Sequence, residues 1–320
     1  MRLVVSRQEW RANGLDDFYH RGGLLAWNPK ENCLYFWGKN CIRRLVEKPD
    51  GSRVIEVVVG NPGKPGTQDG PAEQATLTSI GNICINSRGT IFFYDMGNTN
   101  SDYINIGATK FFNDSGNQYG DCLRKLENGI VSTITDNMRT FKYKDGQLET
   151  ACFNFINLGG LNSVGENDDV LYLADHWNGV VRRIDLKTEN VSTVAGRIMS
   201  HEDGSFIRQG ADGPALTHSH FISGCTFSVY DPVHKAVWCG GPDETRLRWL
   251  KDGWIKTVMG QKIRGGSNDW SLNDINVPVD SVSMAWTWVL TVDRHGGAYV
   301  YNGVSRTGFW RLYNKKEAVK

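Results

Sequence analysis

The stretch Val170-Leu171-Tyr172-Leu173-Ala174-Asp175-His176-Trp177-Asn178-Gly179-Val180-Val181-Arg182-Arg183-Ile184-Asp185, then Val191-Ser192-Thr193-Val194-Ala195-Gly196, decides the fold. It holds three apolar segments, bounded by clusters of Asp, Asn and Gly, and each is short enough for a strand. Residues 161–164 supply another ahead of them, so the unit reads as four strands joined by tight turns. Its third strand carries a basic residue between apolar ones. That phrase returns as Ile42-Arg43-Arg44-Leu45, Leu123-Arg124-Lys125-Leu126, Leu247-Arg248-Trp249-Leu250 and, altered, Phe309-Trp310-Arg311-Leu312. Taking Arg43, Arg124, Arg182, Arg248 and Trp310 as markers, the intervals are 81, 58, 66 and 62 residues. Four strands per interval, repeated along the chain, predict an all-β β-propeller of five blades with four antiparallel strands each.

The remaining units divide in the same way. Innermost strands are expected at 24–27, 83–86, 226–230 and 288–293, and fourth strands at 54–59, 130–134 and 254–259. The last unit lacks an outer strand, and residues 3–5 (Leu-Val-Val) are expected to complete it. Closure of that kind removes a sheet edge open to aggregation. The 320 residues then form one domain, with an insertion at about 99–120 in the second blade. First-to-second and third-to-fourth turns share one face and are short. The other face carries long loops, at 6–23, 60–81, 136–160, 196–224 and 260–283, where binding is expected to concentrate.

Composition narrows the function. The 36 basic and 35 acidic residues leave a net charge of +1, which argues against a surface built to grip a phosphate backbone. Seven cysteines are scattered without a CxxC pair, as expected of reduced thiols in a cytoplasmic or other reducing compartment. No apolar run of membrane-spanning length occurs, so a soluble chain without a membrane partner is expected. Nucleophile-elbow, phosphate-loop, HExxH and dinucleotide fingerprints are missing from the sequence.

The third unit resembles an NHL repeat, on Asp175-His176-Trp177-Asn178-Gly179, Val191-Ser192-Thr193-Val194-Ala195-Gly196 and Asp212-Gly213-Pro214-Ala215. The first unit echoes its later half in Asp69-Gly70-Pro71-Ala72, and the second offers Asp95-Met96-Gly97-Asn98 and Lys144-Asp145-Gly146. The fourth departs with Gly240-Gly241-Pro242-Asp243, and the fifth with Asn302-Gly303-Val304. NHL propellers usually have six blades, against five counted here. The Asp-x-x-Asn and Asp-Gly pairs are assigned to architecture, as turn formers.

The insertion stands out chemically. Tyr103, Phe111, Phe112 and Tyr119 lie among Asn and Asp, the amphipathic mix of protein interfaces and sugar sites, and Trp177 and Trp270 join them as candidate contacts on the long-loop face. The preferred reading is a non-catalytic binding or assembly module for a protein or glycan partner, without a cofactor, as in a subunit of a larger assembly such as a virion. A metal-dependent lyase or hydrolase is the alternative, because some NHL-like propellers hold a catalytic metal over the central channel. His176, His218 and His220 would then bind zinc or calcium, with His218-Ser219-His220 extended so that both rings point one way. RNA binding, known among NHL propellers, is a second alternative. His234 and His295 read as solvated turn residues.

Overall fold

The computed structural model describes residues 25–38, 40–96, 121–154, 161–176, 178–196, 212–218, 225, 227–240, 247–259, 287–292, 295–302 and 308–312. They fall into two compact units, Met1–Met138 and Arg139–Lys320. The fold class is all-β, and its sheets are the antiparallel meanders of β-propeller blades.

In the first unit, β1 (Ala26–Asn28), β2 (Cys33–Gly38), β3 (Cys41–Glu47) and β4 (Arg53–Gly60) form one meander. The next blade consists of β6 (Ile80–Ile85), β7 (Ile91–Asp95), β8 (Cys122–Glu127) and β9 (Ile130–Thr135). A two-residue strand, β5 (Gly70–Pro71), lies on the outer edge of β9. Asn128 and Gly129, with φ of 51° and 77°, close the β8–β9 hairpin between the paired Glu127 and Ile130. Two consecutive positive φ values match the right-handed twist of the flanking strands, which is why Asn-Gly occupies this turn.

The second unit opens with β10 (Arg139–Lys144), β11 (Gly146–Gln147) and β12 (Cys152–Asn154). A full blade follows: β13 (Leu161–Val164), β14 (Val170–Asp175), β15 (Val180–Asp185) and β16 (Asn190–Ala195), with β11 on its outer edge. Then come β17 (Gly213–Pro214), a single helical turn α1 (Ala215–His218), and β18 (Phe227–Asp231), β19 (Ala236–Gly240), β20 (Leu247–Lys251) and β21 (Trp254–Met259). Strand β17 pairs with β21. The last sheet is β22 (Thr287–Val292), β23 (Ala298–Asn302) and β24 (Gly308–Leu312). Four complete four-stranded blades, one three-stranded sheet and a two-stranded sheet of β10 and β12 are therefore present among the described residues. The closing strand expected at residues 3–5 lies outside them.

The second strands β7 and β19 are buried at every position, and β14 at all but Tyr172. Their side chains fill the wedge between neighbouring blades. In the first unit Tyr35, Trp37, Ile42 and Val59 meet Ile83, Ile91, Phe93 and Val131, with Ala75 and Leu77 of the inter-blade connection inserted between them. In the second, Ala174, Val181 and Ala195 meet Val237, Cys239 and Ile255 around Ala215. Each fully buried aliphatic or aromatic side chain contributes about 1.5–3 kcal/mol, so these wedges hold adjacent blades together. Tryptophans do not all serve this purpose. Trp37 and Trp238 are buried, whereas Trp27 and Trp254 are 53% and 60% exposed.

Two expectations about connections are corrected. The segment 136–160, expected as a long loop, contains β10, β11 and β12. Residues 60–81 and 196–224 likewise hold β5, β17 and α1. The Asp-Gly pairs are thus more than turns: Gly70, Gly146 and Gly213 each begin a short edge strand on the fourth strand of the blade that follows. Close backbone approach explains a glycine elsewhere in the frame. At Gly196, φ is 99° and a Cβ would lie 2.5 Å from the Gly179 carbonyl oxygen.

Candidate functional site

A common polar device secures each of the second, third and fourth blades. Arg124, Arg182 and Arg248, one on each third strand, are fully buried. Arg124 places Nη1 2.8 Å from Asp95 and Nη2 2.7 Å from Asp69, and also donates to the carbonyls of Thr76 and Gln68. Arg182 does the same with Asp175 and Asp145, both at 2.8 Å, and with the carbonyls of Cys152 and Lys144. Its guanidinium also lies over the rings of Tyr143 and Phe153. In the fourth blade Arg248 approaches Asp212 at 3.6 Å.

The carboxylates come from two places. Asp95 and Asp175 end second strands. Asp69, Asp145 and Asp212 precede the edge-strand glycines and accept the backbone N–H of Thr133, Thr193 and Thr257 on the fourth strands. Burial pushes the Asp95 and Asp175 carboxyls above the usual range, while Arg124 and Arg182 act in the opposite direction. A buried guanidinium cannot shed its charge, so these carboxylates and carbonyls are what make its burial tolerable. The recurring basic residue and the recurring Asp-Gly pair are two halves of one clamp. Sequence reading noticed both and did not join them.

The second-blade clamp also adjoins the base of the insertion. Strands β7 and β8 flank residues 96–121, with Asp95 paired opposite Cys122. Beside them the Tyr94 hydroxyl donates to Asp121, and both residues are almost fully buried. Met96 N–H donates to the Ser79 carbonyl, and Met138 N–H to that of Asp121. The thiol of Cys122 is pushed up to about 12, mainly by burial and then by the negative charge of Asp95. Both stems of the insertion therefore leave from ordered, dry core.

A third polar arrangement lies between β18 and β19. Asp231, fully buried, accepts the Val233 and His234 N–H groups through Oδ1 and meets His234 Nδ1 at 2.7 Å through Oδ2. The imidazole is tilted against Trp249, which meets Trp238 edge-on. His234 lies in the β18–β19 turn, as expected, but its side chain is only 31% exposed and the ring is held by the Asp231 carboxylate and an indole. A carboxylate on Nδ1 fixes the tautomer and leaves Nε2 as the basic position.

Of the residues singled out from sequence, Tyr103, Phe111, Phe112, Tyr119, Trp177, Trp270 and His220 lie outside the described residues. His176 sits half-buried in the turn between β14 and β15. His218 ends the helical turn α1, so the expected extended His218-Ser219-His220 is corrected at its first residue: after Pro214 the backbone turns helical. Among the described residues no group of three or more His, Cys, Asp or Glu is placed to hold a metal ion. All seven cysteines are free thiols. Among the described residues no helix is long and apolar enough to cross a membrane.

No protein-family model and no curated protein matches the chain. Solved structures similar to it include a gluconolactonase from Xanthomonas campestris, at 12% identity and TM-score 0.43, covering 89% of this chain and 69% of that one. Virginiamycin B lyase from Staphylococcus aureus is similar at 9% identity and TM-score 0.39, covering 93% and 73%. An auxiliary nutrient binding protein from Bacteroides thetaiotaomicron gives 11% identity and TM-score 0.44, covering 87% and 65%. Likeness at these values carries no activity or site residue over to this chain.

Proposed function

We propose that this protein is a non-catalytic binding module of NHL type, in which the insertion at 99–120 recognises a protein or glycan partner. One observation carries the reading. The Tyr94–Asp121 hydrogen bond and the Asp95–Cys122 pairing close the base of the insertion within the core. The blade does not depend on the insertion's interior to bring those strands together. Extending a closed loop adds entropic cost only logarithmically, so its four aromatic residues are free to serve recognition. Aromatic side chains carry much of the energy at typical interfaces. The ionic groups described in the blades support the same reading, since the buried arginines and their aspartates are engaged in holding strands together.

The test replaces residues 99–120 by a short Gly-Ser turn and, separately, makes Tyr103→Ala and Phe112→Ala. The deletion is expected to keep the parent's circular dichroism and melting behaviour. Capture from the native source, with the captured partner then purified, and a glycan array identify a ligand for the parent. Each point variant is expected to weaken its binding by about 30-fold, as for an interface anchor worth about 2 kcal/mol. A deletion that unfolds the protein, or that binds every ligand of the parent, refutes the reading.

A further inference from the structure

The first blade breaks the clamp pattern, and the break has a chemical consequence. Arg43 occupies the clamp position on β3: it pairs with Phe36 as Arg124 pairs with Phe93. It is 5% exposed. The residue opposite Cys41, two positions before Arg43, is Gly38; the equivalent positions in the next two blades are Asp95 and Asp175. Arg43 Nη1 donates to the Gly38 carbonyl at 2.6 Å, and the guanidinium also reaches the thiol of Cys41. Cys41 Sγ itself donates to the same carbonyl at 3.0 Å.

Neither partner supplies negative charge, because burial pushes the Cys41 thiol up and holds it protonated. The carboxylates nearby in the blade are engaged elsewhere, and Glu47 of β3 itself pairs with Arg53. Glu31 and Glu56 both bind Arg44, and consecutive strand residues project from opposite faces. Among the described residues Arg43 has no carboxylate partner. A guanidinium stays protonated in proteins, and leaving one buried without a counter-charge is costly.

We propose that Arg43 is an anion-binding residue that takes the carboxylate group of a small ligand, beside Gly38, in the position filled by aspartate in the next two blades. A planar carboxylate is the group its sister arginines hold, and it matches the fork of the guanidinium. Glycine at 38 omits the side chain that would occupy the place.

The test uses the full-length protein, with melting temperature read in sodium acetate, sodium phosphate and sodium chloride at constant ionic strength. Acetate is expected to raise the parent's melting temperature by at least about 2 °C over chloride, since a ligand bound only by the native state stabilises it by mass action. Gly38→Asp installs the missing carboxylate. Gly38 is not among the glycines with positive φ, so aspartate suits its backbone. This variant is expected to melt above the parent in chloride and to lose the acetate response. Arg43→Met is expected to lose that response too. A parent indifferent to acetate overturns the proposal, as does a Gly38→Asp variant that fails to fold or still responds. A larger response to phosphate than to acetate overturns the carboxylate assignment.

Discussion

Removing one carboxylate from the third-blade clamp should be among the most damaging single changes available to this protein. In Asp175→Ala the buried Arg182 keeps Asp145 but loses the 2.8 Å bond from Nη1. The Asn154 N–H and the Asn178 amide lose their acceptor at the same time. Breaking a buried pair by deleting one partner costs about 3–5 kcal/mol, because the other charge stays behind without its counter-ion. The orphaned Asn154 N–H adds about 1 kcal/mol where it remains dry, while the Asn178 amide keeps its bond to the Lys142 carbonyl. A loss of about 4–6 kcal/mol is therefore expected. The double variant Asp175→Leu with Arg182→Met removes both charges and should recover much of that loss, since an apolar replacement of a buried pair is often close to neutral. Urea denaturation of the parent, Asp175→Leu, Arg182→Met and the double variant completes a cycle, with an expected coupling of about 2–3 kcal/mol. A cost below about 1 kcal/mol for Asp175→Ala, or additive single variants, would show that the clamp is not a cooperative unit and would refute this account.

Thiol reactivity offers an independent check. Cys41, Cys84, Cys122, Cys225 and Cys239 are buried, and the first three also have raised pKa values; Cys33 and Cys152 are half-buried. Titration with a thiol reagent at pH 8 should modify Cys152 first and Cys33 slowly, the latter because burial and Glu31 hold its thiol up; the others should react only on unfolding, and rapid labelling of Cys122 would contradict its place at the dry base of the insertion. Glu127 is held below the ordinary carboxylate range by Lys125, against burial, with help from the Thr90 hydroxyl. Its contribution is present above the unfolded value and lost as pH falls through the lower folded one, so the difference in melting temperature between parent and Glu127→Gln should shrink on acidification below about pH 4.5 and stay level above it.

Strand content and blade order were determined by the sequence alone. Period-two alternation and turn residues are local: they set β14, β15 and β16 within a residue of where they were expected, and Asn128-Gly129 announces its own turn. The 81-residue interval located the insertion in the same way, by spacing. Its stems were not legible, because one Tyr and one Asp, 27 positions apart, carry no pattern until strand pairing brings them together. The clamps were hidden for the same reason. Asp69 and Arg124 are 55 residues apart, and Asp145 and Thr193 are 48 apart. Periodicity says that an arginine faces inward; it does not say which carboxylate arrives from another connection, or that Gly38 brings none. Only the tertiary structure decides that. A buried charge is satisfied by groups gathered in space, and their separation along the chain leaves no local trace.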